Sequence, residues 1–146
     1  MGLDMKRLRP VLIVEDEGDY ASLIRESFES AEVPNPVQVV GDADQAIAYL
    51  AGEREFADRS TYGFPCLMLL DLRLSQKSGF HVLRWLRNRP DLKQRMNVIV
   101  LSSVNTQREI QMAYELGAQY FMKKSDFNAL VEKARYLRDS WISLTP

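Results

Sequence analysis

Two short apolar segments of this chain end abruptly in carboxylates. The run from Val11 to Val14 is followed by Glu15 and Asp16, and the run 66–70 is followed by Asp71. A short, uninterrupted apolar run is typical of a strand that is buried on both faces, as in the middle of a parallel sheet. In open α/β sheets the binding crevice lies outside the carboxyl ends of the strands. The three carboxylates are therefore candidates for one site.

Two further candidate strands end in a hydroxyl and in ammonium groups. The run 97–101 is followed by Ser102, and the mixed segment 118–122 is followed by Lys123 and Lys124. Taken singly, such residues have ordinary explanations as turn formers and surface charges, and the acidic residues could be a solvated helix cap. Their placement at the ends of four candidate strands favours a single site instead.

These residue types suit phosphoryl transfer. Carboxylates that lie close together repel one another and need a hard cation, and Mg²⁺ takes carboxylate, carbonyl and water oxygens. A hydroxyl and an ammonium beside that cation would bind a dianionic phosphoryl group. The sequence therefore indicates that Asp71 is a carboxylate nucleophile that could form an aspartyl phosphate.

The elements that must position these residues are five strands alternating with five helices. The expected strands are 11–14, 37–40, 66–70, 97–101 and 118–122, and the helices begin near Asp19, Asp42, Gly79, Thr106 and Ser125 or Asp126. Such alternation implies right-handed crossovers and a parallel sheet covered on both faces. Five units are too few for an eightfold barrel. We predict an α/β, flavodoxin-like (βα)5 three-layer sandwich with strand order 2-1-3-4-5.

Length and composition predict a single domain spanning residues 1–146, with its core at about 9–140 and its last helix extending to about residue 144. The net charge is −1, so no broad attraction to nucleic acid or to an anionic membrane is expected. No apolar run approaches the roughly 18 residues that span a bilayer, and the run after the basic N-terminal residues is too short for a signal peptide. We expect a cytoplasmic protein.

The motifs resemble those of the receiver domains of two-component response regulators, from about Arg9 to Ser140. They are Val-Glu-Asp-Glu at 14–17, Leu-Leu-Asp-Leu-Arg-Leu at 69–74, Gly79, Val-Leu-Ser-Ser at 100–103 and Gly-Ala-Gln-Tyr-Phe-Met-Lys-Lys-Ser at 117–125. The ending, with Ser-Asp-Phe at 125–127 and Ser-Trp-Ile-Ser-Leu-Thr-Pro, looks like that of stand-alone, chemotaxis-regulator-like members of the phytochrome-associated kind.

The resemblance implies a role for each candidate residue. Asp71 would be the phosphoacceptor, and Asp16, Asp71 and the backbone carbonyl of Arg73 would bind Mg²⁺. Glu15 would act mainly through a metal-bound water, and Ser102 would take a phosphoryl oxygen.

The same resemblance bears on the choice between the two lysines. Aligned without a gap from Gly117, Lys124 takes the catalytic position and Phe121 the position of the switch aromatic, whereas Lys123 would need a deletion. The proline usual after the catalytic lysine is Ser125 here, so the cis peptide common at that position is not expected. Arg73 places a long cation beside the acyl phosphate, which could change its lifetime.

The implied function is a phosphoryl-accepting switch. A sensor histidine kinase, of the phytochrome type if the subgroup is right, or a phosphotransfer protein would phosphorylate Asp71. Ser102 and Phe121 would then remodel the face made by the fourth helix, the fifth strand and the fifth helix. Because nothing follows the fifth helix, output is expected through a downstream protein partner or a homodimer. Trp141 could belong to the core or anchor such an interface.

Two other functions compete with this interpretation. A phosphorylation-independent binding module could keep the site as a relic, although the intact set of Asp16, Asp71, Ser102 and Lys124 argues against it. A dehalogenase-like hydrolase would usually carry an acidic residue two positions after its nucleophile, where this chain has Arg73, and would need room for a cap domain. The interpretation favoured by the sequence is thus a phosphoacceptor signalling protein rather than an enzyme, one that assists its own phosphorylation and dephosphorylation.

Overall fold

Five parallel strands form one sheet in the order β2-β1-β3-β4-β5, as predicted. The computed structural model describes residues 8–103 and 106–142. The strands are β1 Val11–Val14, β2 Val37–Val40, β3 Leu67–Leu70, β4 Asn97–Ser102 and β5 Tyr120–Lys123. The five longer helices are α1 Gly18–Ser30, α2 Ala43–Ala51, α3 Gly79–Arg87, α4 Gln107–Glu115 and α5 Phe127–Ser140. A 3-10 turn, Arg54–Phe56, and a short helix, Pro90–Lys93, are additional to the elements predicted from the sequence.

Helices cover both faces of the sheet. Successive side chains of a strand point to opposite faces, so an apolar strand offers each face a surface for helices to pack on. In β1, Leu12 and Val14 belong to the core beneath α2, α3 and α4. Val11 and Ile13 belong to the core beneath α1 and α5. All four residues are buried, which explains the uninterrupted apolar run in the sequence. The result is the predicted three-layer arrangement.

Three of the five longer helices begin directly after a residue that the sequence places at their start, and the side chain of that residue caps the helix. The carboxylate of Asp42 accepts a hydrogen bond from Gln45 N, that of Asp126 accepts one from Ala129 N, and Thr106 forms a capping box with Glu109. At α1 the sequence pattern predicts Asp19 as the capping residue, and this prediction is wrong. The helix begins at Gly18, so Asp19 lies in its first turn, where a negative charge still favours the helix dipole.

The start of β5 and the end of the last helix differ from the prediction by two residues or more. The chain before β5 closes α4 first, because Ala118 N donates to Ala113 O; the strand therefore begins at Tyr120. The last helix ends at Ser140 rather than near residue 144. The N–H groups of Trp141 and Ile142 both donate to Leu137 O, which closes the helix. Residues 143–146, which include the predicted end, lie outside the described residues.

In the part of the chain that the structure describes, no helix is long and apolar enough to cross a membrane.

Candidate functional site

The strand ends bring the candidate residues to one edge of the sheet. Glu15 and Asp16 follow β1, Asp71 follows β3, Ser102 ends β4 and Lys124 follows β5. The backbone hydrogen bonds of the sheet continue through these positions: Asp71 N donates to Val14 O at 3.1 Å, and Lys124 N donates to Ser102 O at 2.9 Å. The backbone that carries these side chains is therefore held in place by the sheet.

Three carboxylates form a compact cluster at this edge. One oxygen each from Glu15, Asp16 and Asp71 lies within 4.8 Å of the other two. Glu15 and Asp71 are each only 3% exposed, and Asp16 is the most exposed of the three. A cluster of carboxylate oxygens that is open on one side suits a hard divalent cation, which commonly keeps several waters.

Lys124 supplies the positive charge at the cluster. Its Nζ lies 2.7 Å from Glu15 Oε1 and 2.9 Å from Asp71 Oδ2. One ammonium therefore faces two buried carboxylates, with the carboxylate of Asp16 beside them. The excess of acidic groups over basic ones leaves room for a cation, so the donor set fits the divalent metal expected from the sequence. Lys123, the alternative lysine, has an exposed side chain on β5.

Burial changes the titration of the groups that share this ammonium. Burial, reinforced by the charge of Asp71, raises the pKa of Glu15 to about 7 despite the hydrogen bond from Lys124. Burial alone would lower the pKa of Lys124, but its hydrogen bonds to Glu15 and Asp71 outweigh that effect and raise it. Lys124 is thus a fixed cation, whereas Glu15 can release a proton when a metal binds.

The Asp71 carboxylate is oriented through both of its oxygens. While Oδ2 faces Lys124, Oδ1 accepts a hydrogen bond from Arg73 N at 2.8 Å and one from Ser102 Oγ at 3.3 Å. Ser102 is fully buried. A buried carboxylate flanked by an ammonium and a hydroxyl is placed to bind an electrophilic phosphoryl group between them.

The loop after Asp71 is fixed at two points. Gly79 N donates to Leu72 O at 3.0 Å, and the first residue of α3 is thereby packed against the strand end. The side chain of Arg73 turns toward α4, where its Nη2 lies 2.9 Å from Glu109 Oε1. The peptide of Arg73 lies beside the carboxylate of Asp71, and the metal-binding role predicted for its carbonyl stays a prediction.

Sequence reasoning missed one contributor, Tyr20 on α1. Lys124 Nζ lies 4.8 Å from the centre of its ring. The hydroxyl oxygen of Tyr20 accepts a hydrogen bond from Ser125 N at 2.9 Å and donates one to Ser125 O at 3.1 Å. Tyr20 thus holds the residue after Lys124. In the sequence, Tyr20 shares helical spacing with the apolar residues Leu23, Ile24 and Phe28, and nothing in that pattern indicates a partner 105 positions away.

Phe121, the predicted switch aromatic, lies apart from the carboxylates. It is half-buried on β5, opposite Val100 in the register of the sheet, and packs against the core beneath α4. A second group of aromatic residues lies nearby. The ring of Tyr120 stacks on that of Trp141, with 5.9 Å between the ring centres, and its centre lies 6.0 Å from that of the Tyr136 ring. Trp141 is half-buried against the core beneath α1 and α5, so it joins the core and this group. His81, on α3, is partly exposed, and its Nε2 lies 4.0 Å from Asp44 Oδ1.

Several known proteins are similar to this chain in sequence and fold over nearly their whole length. The response regulator Rcp1 of Synechocystis sp. is 28% identical over 133 residues, which cover 90% of this chain and 88% of Rcp1. The crystal structure of the phosphorylated cyanobacterial phytochrome response regulator RcpA is 32% identical with a TM-score of 0.81, covering 95% of this chain and 97% of RcpA. The Mn²⁺-bound form of Rcp1 has a TM-score of 0.80 at 26% identity, covering 94% of this chain and 97% of that structure.

The family model of the response regulator receiver domain matches residues 11–135, from the start of β1 to the middle of α5. That span contains all of the strand-end residues described above. The chain therefore belongs to the response regulator receiver domain family, with phytochrome-associated response regulators among its relatives.

Proposed function

We propose that this receiver domain accepts a phosphoryl group on Asp71 in an Mg²⁺-dependent reaction. The donor would be a sensor histidine kinase, of the phytochrome type, or a phosphotransfer protein. The observation that carries the proposal is the surrounding of Asp71, a buried carboxylate with Lys124 Nζ at 2.9 Å and Ser102 Oγ at 3.3 Å. RcpA, a relative, has been crystallised in a phosphorylated form. The cytoplasmic location expected from the sequence remains part of the proposal.

In the transfer step, a carboxylate oxygen of Asp71 attacks the phosphorus atom of the donor. A P–O bond forms, the P–N bond to the donor imidazole breaks, and its electron pair stays on that nitrogen. Lys124 pairs with one oxygen of the transferred group and Ser102 donates a hydrogen bond to another, so both stabilise charge on the phosphoryl oxygens. The protein thus promotes its own phosphorylation, and by the same contacts its dephosphorylation, without turning over a separate substrate.

The residues that would hold Mg²⁺ are Asp16, Asp71 and the backbone carbonyl of Arg73, with Glu15 acting through a water. The bound cation would neutralise negative charge on the carboxylates and on the phosphoryl oxygens. Two observations support a divalent metal here: the cluster of three carboxylates and the Mn²⁺-bound structure of the relative Rcp1.

We further propose that phosphorylation changes the binding of a partner protein or of a second copy of the chain at the face of α4, β5 and α5. When Ser102 turns toward the new phosphoryl group, Phe121 moves into the space that it leaves. The strand that carries Phe121 also carries Tyr120, whose contacts with Tyr136 and Trp141 form an aromatic group on the same face. Tyr120 and Tyr136 are 36% and 45% exposed, which suits a surface that binds a downstream protein or a second copy of the chain.

The test is phosphorylation by acetyl phosphate followed by intact-mass measurement, with Mg²⁺ and with EDTA. We expect the mass of one phosphoryl group on the wild type with Mg²⁺, and none with EDTA or on Asp71→Asn. Size-exclusion mass measurement with beryllofluoride then asks whether the output includes a dimer, and Tyr136→Ser should weaken one that forms. A wild type that reacts with neither reagent would favour the alternative, a phosphorylation-independent binding module.

A further inference from the structure

A cavity lined by three arginines lies at the edge of the sheet opposite the carboxylate cluster. It has a volume of about 530 Å³. Its walls come from the segments that lead into four strands, among them Pro10 before β1, Pro36 before β2, Phe64 before β3 and Arg95 before β4. Nothing in the proposed phosphoryl transfer uses this end of the molecule.

Three guanidinium groups converge on one ring in this cavity. The guanidinium carbon of Arg95 lies 4.1 Å from the centre of the Phe64 ring, and those of Arg9 and Arg59 each lie 6.0 Å from it. Arg9 and Arg59 are half-buried. Burial lowers the pKa of Arg9 and of Arg59, and the neighbouring charge of Arg95 lowers both pKa values further.

No carboxylate among residues 8–103 and 106–142 forms an ion pair with any of these arginines. Arg9 donates to the carbonyls of Phe64, Pro65 and Arg95, which orients its side chain without neutralising it. Arg59 is fixed in the same way by the carbonyls of Tyr62 and Leu50, at 3.0 and 2.9 Å.

Arg95 differs from the other two arginines. It is exposed and stacks on Phe64, and its guanidinium has no hydrogen-bond acceptor in the described part of the chain. A guanidinium has five N–H donors, so all three side chains keep donors for a ligand.

We propose that this cavity is a binding site for a small organic phosphate with at least two negative charges. Arg9, Arg59 and Arg95 would take the phosphate oxygens, and Pro10, Pro36 and Leu8 would contact the remainder of the ligand. Guanidinium groups match phosphate oxygens in geometry as well as in charge. A dianion would also relieve the repulsion among three cations that are gathered around one ring.

The size and shape of the site favour a small molecule over a macromolecule. A cavity of this volume falls within the range of roughly 300–1,000 Å³ that is usual for small-molecule sites. Arg9 and Arg59 are partly buried and are fixed by backbone carbonyls. A recessed pair of arginines is more accessible to a small ligand than to the flat surface of another protein. The net charge of −1 for the whole chain gives no broad attraction to polyanions, so the positive charge is local.

The experiment is calorimetric titration of the full chain with pyrophosphate and with ATP, in EDTA so that no divalent metal is bound. We expect the wild type to bind, and Arg95→Gln and Arg59→Gln each to weaken binding by about tenfold or more. The matched control is Arg89→Gln, because the guanidinium of Arg89 also lies 4.1 Å from a ring, that of Trp85, but does not line the cavity. This control should bind like the wild type.

Backbone amide NMR of the wild type locates the bound anion independently of any variant. Pyrophosphate should shift the amide of Gly63, which lines the cavity, and leave that of Lys124 in place. No binding of either probe overturns the proposal, as does equal weakening by Arg89→Gln and Arg95→Gln or a shift confined to Lys124. Binding of oligoglutamate but not of pyrophosphate would also overturn it, in favour of an acidic protein partner.

Discussion

Nη2 of Arg73 lies 2.9 Å from Oε1 of Glu109. This ion pair links the residue two positions after Asp71 to the first turn of α4. Glu109 also completes the capping box of that helix with Thr106. The long cation that the sequence places beside the acceptor is thus paired with a carboxylate on an element of the proposed output face. Site and output face are linked by a pair that one conservative substitution can break.

We predict that Glu109→Gln speeds labelling by acetyl phosphate by about two- to fivefold, because exposed ion pairs are worth up to about 1 kcal/mol. Glutamine can still cap the helix but carries no charge, so less of the positive charge of Arg73 is offset and the anionic donor is attracted more strongly. The rate is measured by intact mass over time. Glu115→Gln, an exposed glutamate at the other end of α4, should leave the rate unchanged. A rate that does not rise in Glu109→Gln would show that the charge of Glu109 does not restrain labelling through Arg73.

Gly79 is required by its contact with the acceptor strand. A Cβ at this position would lie 2.3 Å from Asp71 O and 2.9 Å from Leu72 Cα, both of them backbone atoms. We expect Gly79→Ala to lower the free energy of unfolding by about 1–3 kcal/mol, as overpacking does elsewhere. It should also slow labelling, because the end of β3 must shift.

The matched control for this variant is Gly18→Ala, because Gly18 likewise begins a helix but a Cβ there would meet nothing within 4 Å. Urea unfolding of the two variants provides the comparison. Equal free energies of unfolding for the two variants would mean that the loop after Asp71 accommodates the added methyl group without loss of stability.

Metal binding should depend on pH through Glu15. Burial raises the pKa of Glu15 to about 7, so at lower pH its carboxyl holds a proton that a bound cation must displace. The apparent Mg²⁺ affinity should therefore rise by about tenfold between about pH 6 and about pH 8. Calorimetric titration with Mg²⁺, on protein that keeps Asp16 and Asp71, measures this change of affinity with pH. Glu15→Gln should flatten it, whereas the exposed neighbour variant Glu17→Gln should retain it.

The sign of the same effect on folding is fixed. A carboxyl whose pKa rises on folding, from 4.5 to about 7 for Glu15, stabilises the folded state fully at low pH. That stabilisation is lost as the pH increases through about 7. In EDTA the free energy of unfolding of the wild type should therefore fall as the pH increases from about 4.5 to about 7. The free energy of unfolding of Glu15→Gln should lack this fall. An apparent Mg²⁺ affinity that falls with increasing pH would contradict the assignment.

Tyr20 should act on phosphorylation by positioning Lys124. Tyr20→Phe keeps the ring near Lys124 but removes both hydrogen bonds to Ser125, each worth about 0.5–1.5 kcal/mol. We expect labelling at saturating acetyl phosphate to slow by about two- to tenfold with little change in the donor concentration at half-maximal rate. Tyr114→Phe, which alters an exposed tyrosine on α4, is the control. An unchanged maximal rate would leave Tyr20 a packing residue only.

The fold and the carboxylate cluster were predictable because both follow from local patterns. The apolar runs before Glu15 and Asp71 identify buried parallel strands, and the polar residue after each run necessarily lies at the carboxyl edge. The contribution of Tyr20 was not predictable, since a hydroxyl on the apolar face of a helix gives no sign of a distant backbone partner. The arginine cavity escaped for the same reason: Arg9, Arg59 and Arg95 are far apart in sequence and meet only through the topology of the sheet.

The most direct test of the central claim is to find which residue carries the phosphoryl group. The chain is phosphorylated with acetyl phosphate and Mg²⁺, the acyl phosphate is reduced with borohydride, and peptide mass spectrometry locates the resulting homoserine. We predict homoserine at position 71 and no reduced residue in Asp71→Asn. Reduction at Glu15 or Asp16, or an unmodified Asp71 in a chain that has gained a phosphoryl group, would contradict the assignment of Asp71 as the acceptor.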